Sequence, residues 1–291
     1  MTWIRRFHVN GVFWRQLLRW AVVNVPYWCE AVLLSFWTML FLLWGPGRRG
    51  VMANLKVILP GSWPIANFFR VYRVMWNFAW TIDDNVRFKE LNVVPDWEFV
   101  GREHFEQMKS EPGGAIILTA HMGSYDLGAH LFAEASGRRI VMVRAPETDP
   151  QTREFEEGYL ADAIETQFNT DGGTLALDLL HAVREGAIVA IQGDRMAGEI
   201  SGVPATLFGK AVELPAGPFA LAMTARVPVY PVFVVRRGWQ RYLLRAEAPF
   251  EIVRSRDRDA DLAAAARAWT AVLEQVIRDG WQQWFAFEEF A

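Results

Sequence analysis

After residue 95, short apolar runs alternate with stretches of helical spacing through most of the chain. Trp97–Gly101, Ala115–Thr119, Arg139–Val143, Ala187–Gln192, Val229–Val235 and Tyr242–Ala248 read as strands, with Ala205–Phe208 a short extended piece. Helices are predicted over Arg102–Ser110, Ser124–Ser136, Pro150–Ile164, Thr174–Glu185, Pro215–Thr224 and Asp259–Asp279, the last with Gly280 as its C-cap. Such alternation implies an α/β fold, with a mixed, largely parallel sheet flanked by helices. No internal repeat or low-complexity segment interrupts it.

Residues 1–90 have a different texture. Ala31–Trp44 is apolar apart from Ser35 and Thr38, but shorter than the roughly 20 residues a spanning helix needs. Extending it back to Asn24 brings in Pro26 and Glu30, and Glu30 makes spanning costly. Arginines lie on both flanks, Arg5, Arg6, Arg15 and Arg19 before and Arg48 and Arg49 after, so charge sets no orientation. That pattern suits an interfacial or re-entrant anchor on an anionic leaflet, with a true span and a buried core helix as the other readings. Gly45-Pro46-Gly47 breaks the run and matches no small-residue cleavage site. Residues 48–59 and 64–89 then read as amphipathic helices, with Ser62 as a cap between them. The expected division is an N-terminal helical, membrane-associating region, 1–90, and an α/β domain, 91–291.

Composition narrows the function classes. Hydrophobic residues make up 52% and aromatics 14%, with 14 tryptophans, which favours contact with lipid or apolar ligands. A net charge of −3 and the absence of basic-region, Walker or zinc-finger spacing exclude a nucleic-acid partner as the expectation. The single cysteine, Cys29, excludes an intramolecular disulfide and any cysteine-based metal cluster, and no metal or cofactor is expected.

The chemistry concentrates in Ala115-Ile-Ile-Leu-Thr-Ala-His-Met-Gly-Ser-Tyr-Asp-Leu-Gly-Ala-His130. Ligands of open α/β sheets sit at the carboxyl ends of strands, and His121 is at such an end. On a continuous helix His121 and Asp126 would point about 140° apart. A turn at Gly123 lets the imidazole fold back over the start of the next helix, where it would meet Asp126 as a base supported by a carboxylate. Spacing alone equally allows His121 to end a strand and Asp126 to cap a helix. No nucleophile elbow is present, so a one-step transfer fits better than a covalent intermediate.

His121-Met-Gly-Ser-Tyr-Asp126 resembles the His-x4-Asp/Glu block of the glycerolipid-type acyltransferase superfamily. Gly193-Asp194-Arg195, Val203–Lys210, Leu214–Pro218, Val227–Phe233 and Trp281-Gln282-Gln283-Trp284-Phe285 follow in an order that resembles the bacterial lipid A biosynthesis (late) acyltransferase family. The resemblance covers nearly the whole chain. It implies transfer of a fatty acyl group from an acyl carrier protein or coenzyme A thioester to a lipid hydroxyl, at the cytoplasmic face of the bacterial inner membrane. It casts His121 as the base and Asp126 as its support. Backbone amides at Gly123, Gly217 or Arg195 are the candidate oxyanion donors. Asp194 and Arg195 would support the site or bind a head group, and Arg144 would meet a phosphate. Arg236, Arg237, Arg241 and Arg245, or Arg254, Arg256 and Arg258, could receive an acidic carrier protein. Residues 154–172, where the family usually carries an arginine, are acidic and have none, which fits an acceptor less phosphorylated than lipid A. A thioesterase or lipid hydrolase, or a lipid-binding protein without activity, are the alternatives.

Overall fold

The computed structural model describes residues 12–44, 47–61, 63–145, 164–169, 174–196 and 200–290. The Ser62 cap and nearly all of the helix expected over Pro150–Ile164 lie outside these residues.

The described chain opens with α1 (Val12–Asn24) and α2 (Tyr27–Trp44). Pro26 separates them, because it lacks an N–H and keeps Val25 out of the helical region. Helices α3 (Arg48–Ile58) and α4 (Pro64–Leu91) follow. Pro64 sits in the first turn of α4, and Asn92 ends it in the left-handed conformation at φ 51°. Helix α2 turns Glu30, Leu34, Thr38 and Leu42 inward, while Trp28, Val32, Phe36, Met39 and Leu43 are exposed. Both stripes follow the three-to-four-residue spacing of one helix face. Glu30 is therefore buried against protein, as an ion pair with Arg87 of α4. Among the described residues no single helix is long and apolar enough to cross a membrane, although Trp28–Leu43 and Arg48–Ile58 together form a candidate pair bent by 89°.

The body contains β1 (Asp96–Val100), α5 (Arg102–Ser110), β2 (Ala115–Thr119), α6 (Tyr125–Ser136), β3 (Ile140–Arg144), β4 (Ile164–Phe168), α7 (Leu175–Arg184) and β5 (Ile188–Gln192). It continues through β6 (Gly202–Leu207), β7 (Lys210–Pro215), α8 (Gly217–Ala225), β8 (Val229–Gly238), β9 (Arg241–Ala246) and α9 (Arg258–Gly280). Seven strands form one sheet in the order β1-β9-β8-β2-β5-β3-β4. Every neighbouring pair in it is parallel except β8 with β9. The alternating pleat divides β2 between two cores. Ile116 and Leu118 pack towards α9 with Trp269 and Leu273, whereas Ile117 packs with Phe105 of α5 and Phe132 of α6.

Three expectations change. Ile164 starts strand β4, whose one neighbour in the sheet is β3, rather than ending a helix. The extended piece at 205–208 is one arm of an antiparallel β6–β7 hairpin. Gly280 has φ −135°, so it is no left-handed cap; a Cβ there would come within 2.5 Å of the Met122 methyl, the mobile end of that side chain.

Candidate active site

Strands β2 and β5 pair in parallel with Thr119 opposite Gln192. Two residues beyond each lie His121 and Asp194, so the register of the sheet sets them side by side. His121 Nδ1 is 2.8 Å from Asp194 Oδ1, and the His121 backbone N–H donates to Asp194 Oδ2 at 3.1 Å. Trp284 Nε1 also donates to that Oδ2, at 2.9 Å. The side chain of Asp194 is 1% exposed and that of His121 18%. Burial alone would raise the Asp194 carboxyl, but the His121 charge, the bonds from His121 and Trp284, and the charge of Arg195 outweigh it and hold the group at about 2. An ionised carboxylate on Nδ1 fixes the tautomer in which Nε2 is free to accept a proton.

The residue expected to support His121 does something else. Asp126 Oδ1 accepts from Arg144 Nη2 at 2.5 Å. Asp126 sits in the first turn of α6 and Arg144 at the end of β3, and both line the cleft that His121 also lines. A carboxylate already facing a guanidinium at this distance is a poor partner for a second donor several residues back. Tyr125 lies between the two pairs, its ring centroid 6.1 Å from that of His121. The Asp126 charge, then burial, push its hydroxyl up to about 12, against the lowering effect of Arg144 and Gln192, so it is a neutral phenol at ordinary pH.

The loop holding His121 is stitched from both sides. Phe285 N–H donates to His121 O at 2.8 Å, Gly123 N–H to Gln283 O at 2.9 Å, and Ser124 N–H to Val234 O at 3.1 Å. Gln283 in turn grips the backbone of Arg236 in β8 through its side-chain amide, at 2.7 Å in each direction. Gly123 has φ +58°, and a Cβ there would fall 1.7 Å from Val234 O, so only glycine fits the turn. Because its N–H is already donated to Gln283, Gly123 is not a free oxyanion donor as expected. Gly217 is exposed at the start of α8 and is not among the residues lining the cleft. Arg144, Asp126 and Arg195 do line it.

That cleft has a volume of about 1280 Å³ and is mostly apolar. One part of its wall is the sheet face beneath α6, with Ile117, Met142, Ala190 and Val232, joined by Phe132 of α6 itself. Another comes from the N-terminal helices, with Leu34, Trp37, Phe41, Met75 and Phe78. Of the basic residues considered for a carrier protein, Arg236 is bonded to Asp84 at 2.9 Å and Arg245 is engaged by Glu247 and Asp279. Those two of the first cluster are thus engaged, whereas Arg237 and Arg241, like Arg254, Arg256 and Arg258, are exposed. No group of acidic, histidine or cysteine side chains that could hold a metal occurs among the described residues.

The Asp194 and Trp284 contacts join blocks far apart in the chain. Both residues lie in segments that the sequence reading singles out, but the strand neighbourhood that unites them is not written in either segment. The family model for the bacterial lipid A biosynthesis acyltransferase matches residues 7–289. No curated protein matches the chain.

Proposed function

The chain belongs to the bacterial lipid A biosynthesis acyltransferase family, and on that premise we propose that His121, held by Asp194, is the general base of an acyl transfer from a thioester to a lipid hydroxyl. The observation that carries the reading is the His121 Nδ1–Asp194 bond of 2.8 Å at the edge of an apolar cleft. His121 Nε2 takes the acceptor hydroxyl proton as the oxygen attacks the thioester carbonyl. The tetrahedral intermediate collapses with cleavage of the C–S bond, and the imidazolium returns its proton to the departing thiolate. Asp194 stabilises the imidazolium without taking a proton, which suits a carboxyl held at about 2.

The oxyanion needs donors other than Gly123. The first-turn N–H groups of α6 have no intrahelical acceptor by position, and they begin beside His121 with the positive end of the helix dipole. Arg195 adds a full charge at the same mouth. The cleft exceeds the roughly 300–1,000 Å³ of ordinary small-molecule sites, so a fatty chain and part of an acceptor fit together. The donor is an acyl carrier protein or coenzyme A thioester, with Arg237 and Arg241, or Arg254, Arg256 and Arg258, as exposed basic surface for an acidic carrier. The exposed stripe of Trp28, Val32 and Phe36, with Trp63 and Phe69 of the α4 region, rests on the cytoplasmic leaflet of the inner membrane and brings the lipid to the cleft.

The test is acyl transfer by His121→Ala, with folding followed by circular dichroism. A fall of roughly 10²- to 10⁴-fold in kcat is expected for loss of a general base. Full transfer by a folded His121→Ala protein sinks the reading. Acyl release at the same rate with and without any acceptor lipid would instead identify a hydrolase.

A further inference from the structure

Away from the cleft, a second pocket of about 370 Å³ opens where α3 gives way to α4. Met52 and Lys56 line it from α3, Leu59 and Gly61 from the turn, and Pro64 and Asn67 from the start of α4. None of these residues lines the cleft, and none is acidic.

The polar side chains of this pocket are donors. Lys56, exposed in the last turn of α3, has no ion pair or hydrogen bond among the described residues. Arg70 Nη1 donates to Asn67 Oδ1 at 3.2 Å, which fixes the amide and leaves Nδ2 as its free end. Asn67 is only 3% exposed, yet Nδ2 has no acceptor among the described residues. It is not among the partnerless polar atoms sealed from solvent there, so it opens on the pocket that Asn67 lines. Helix α4 adds to the donors. Trp63 at its N-cap makes no side-chain capping bond and Pro64 has no N–H, so the amides of Ile65 and Ala66 lack an acceptor within the helix. The positive end of the α4 dipole lies at the same turn.

From these donors we infer that the pocket binds the phosphate of an anionic phospholipid, one per chain. A lysine ammonium, an amide N–H and a helix start together select an oxyanion, whereas a sugar needs acceptors as well and an ammonium is repelled. The surroundings select a lipid over the free ion. Met52, Leu59 and Pro64 make the rest of the lining apolar, and Trp63, Ile65 and Phe69 at the same helix start are 80%, 73% and 61% exposed. Acyl chains leaving the phosphate run along these side chains, and tryptophan suits head-group depth. The inference rests on the membrane-docking part of the reading above, not on acyl transfer, and adds a discrete site to it.

The full chain is sedimented with phosphatidylcholine vesicles, with and without one-fifth phosphatidylglycerol, at fixed ionic strength. The anionic vesicles are expected to bind it about fivefold more tightly or better, against the net charge of −3 on the chain. Lys56→Glu and Asn67→Asp each place a carboxylate in the pocket, and Asn67→Asp keeps the acceptor for Arg70. Each should remove most of the preference, a loss of about fivefold for one charged hydrogen bond. Lys109→Glu makes the same change of charge as Lys56→Glu on the exposed side of α5 and should cost roughly twofold at most. Equal losses for Lys56→Glu and Lys109→Glu, the mark of diffuse attraction, overturn the proposal, as does a preference unmoved by either pocket variant. Inorganic phosphate at matched ionic strength should not release the chain; release would give the pocket to the free ion and overturn the lipid assignment. Equal binding to both kinds of vesicle overturns the pocket and leaves docking by the apolar stripe, whereas binding to neither overturns both. His121→Ala should keep the full preference while losing transfer, so failure of the pocket and failure of the catalytic reading give different results.

Discussion

An imidazole works as a base when one nitrogen is held and the other is left open, and here the holder is Asp194. Asp194→Asn keeps the volume but removes the charge that stabilises the imidazolium. It should lower kcat by about 10²-fold or more with little change in acceptor KM. Asp126→Asn instead releases Arg144 at the cleft mouth, and its larger effect should fall on KM. Steady-state kinetics of the two variants separate these roles, and a larger kcat loss for Asp126→Asn would return the supporting role to Asp126. The Asp194 carboxyl also has a pH signature. Its folded value of about 2 lies below the ordinary 3.8, so its stabilising contribution is complete above about pH 4 and is lost as pH falls towards 2. The gap in melting temperature between the unaltered protein and Asp194→Asn should therefore close over that window. His121 itself was legible from the chain, at the end of an apolar run followed by a glycine. Its partner was not, because His-x4-Asp is local and visible while His121–Asp194 depends on which strand lies beside β2.

Elements recur in this site as ends rather than as faces. The carboxyl ends of β2 and β5, the first turn of α6 and the segment after α9 converge on one loop. The alternation of strands and helices predicted the parallel sheet because each unit carries its own period. Strand order carries no such local mark. Strand β4 was missed for a different reason: Ile-Glu-Thr-Gln-Phe has three polar residues in a row and no alternation, and only Ile164 of it is buried. The segment after α9 has the clearest energetic role. Trp284 is 4% exposed and its indole N–H ends on Asp194. Trp284→Phe retains most of the ring packing and removes that charged hydrogen bond. Thermal or denaturant unfolding should show a loss of about 1.5–3 kcal/mol, and an unchanged midpoint would mean that the bond contributes nothing net.

At the scale of the molecule, His121 and Asp126 line a cleft between the sheet and an apolar helical layer. Helix α4 joins the two, since Phe78 packs on Phe285 at 5.1 Å while Asp84 binds both Arg236 and Tyr242 of the sheet. Composition favoured lipid contact as an expectation, but not which side of α2 would be exposed and apolar. Glu30, which argues against a span, turned inward to Arg87 and left the opposite stripe wholly apolar. Trp28→Ser with Phe36→Ser should therefore cut co-sedimentation with anionic vesicles several-fold without shifting the melting temperature. Unchanged sedimentation would remove this stripe as the docking face. The stitching of Gln283, Trp284 and Phe285 to the His121 loop has a temporal consequence. Synthesis delivers His121 and Asp194 long before Trp284. A chain synthesised only to Gly280 therefore carries His121 and Asp194 yet lacks the segment whose indole and backbone groups bond to them.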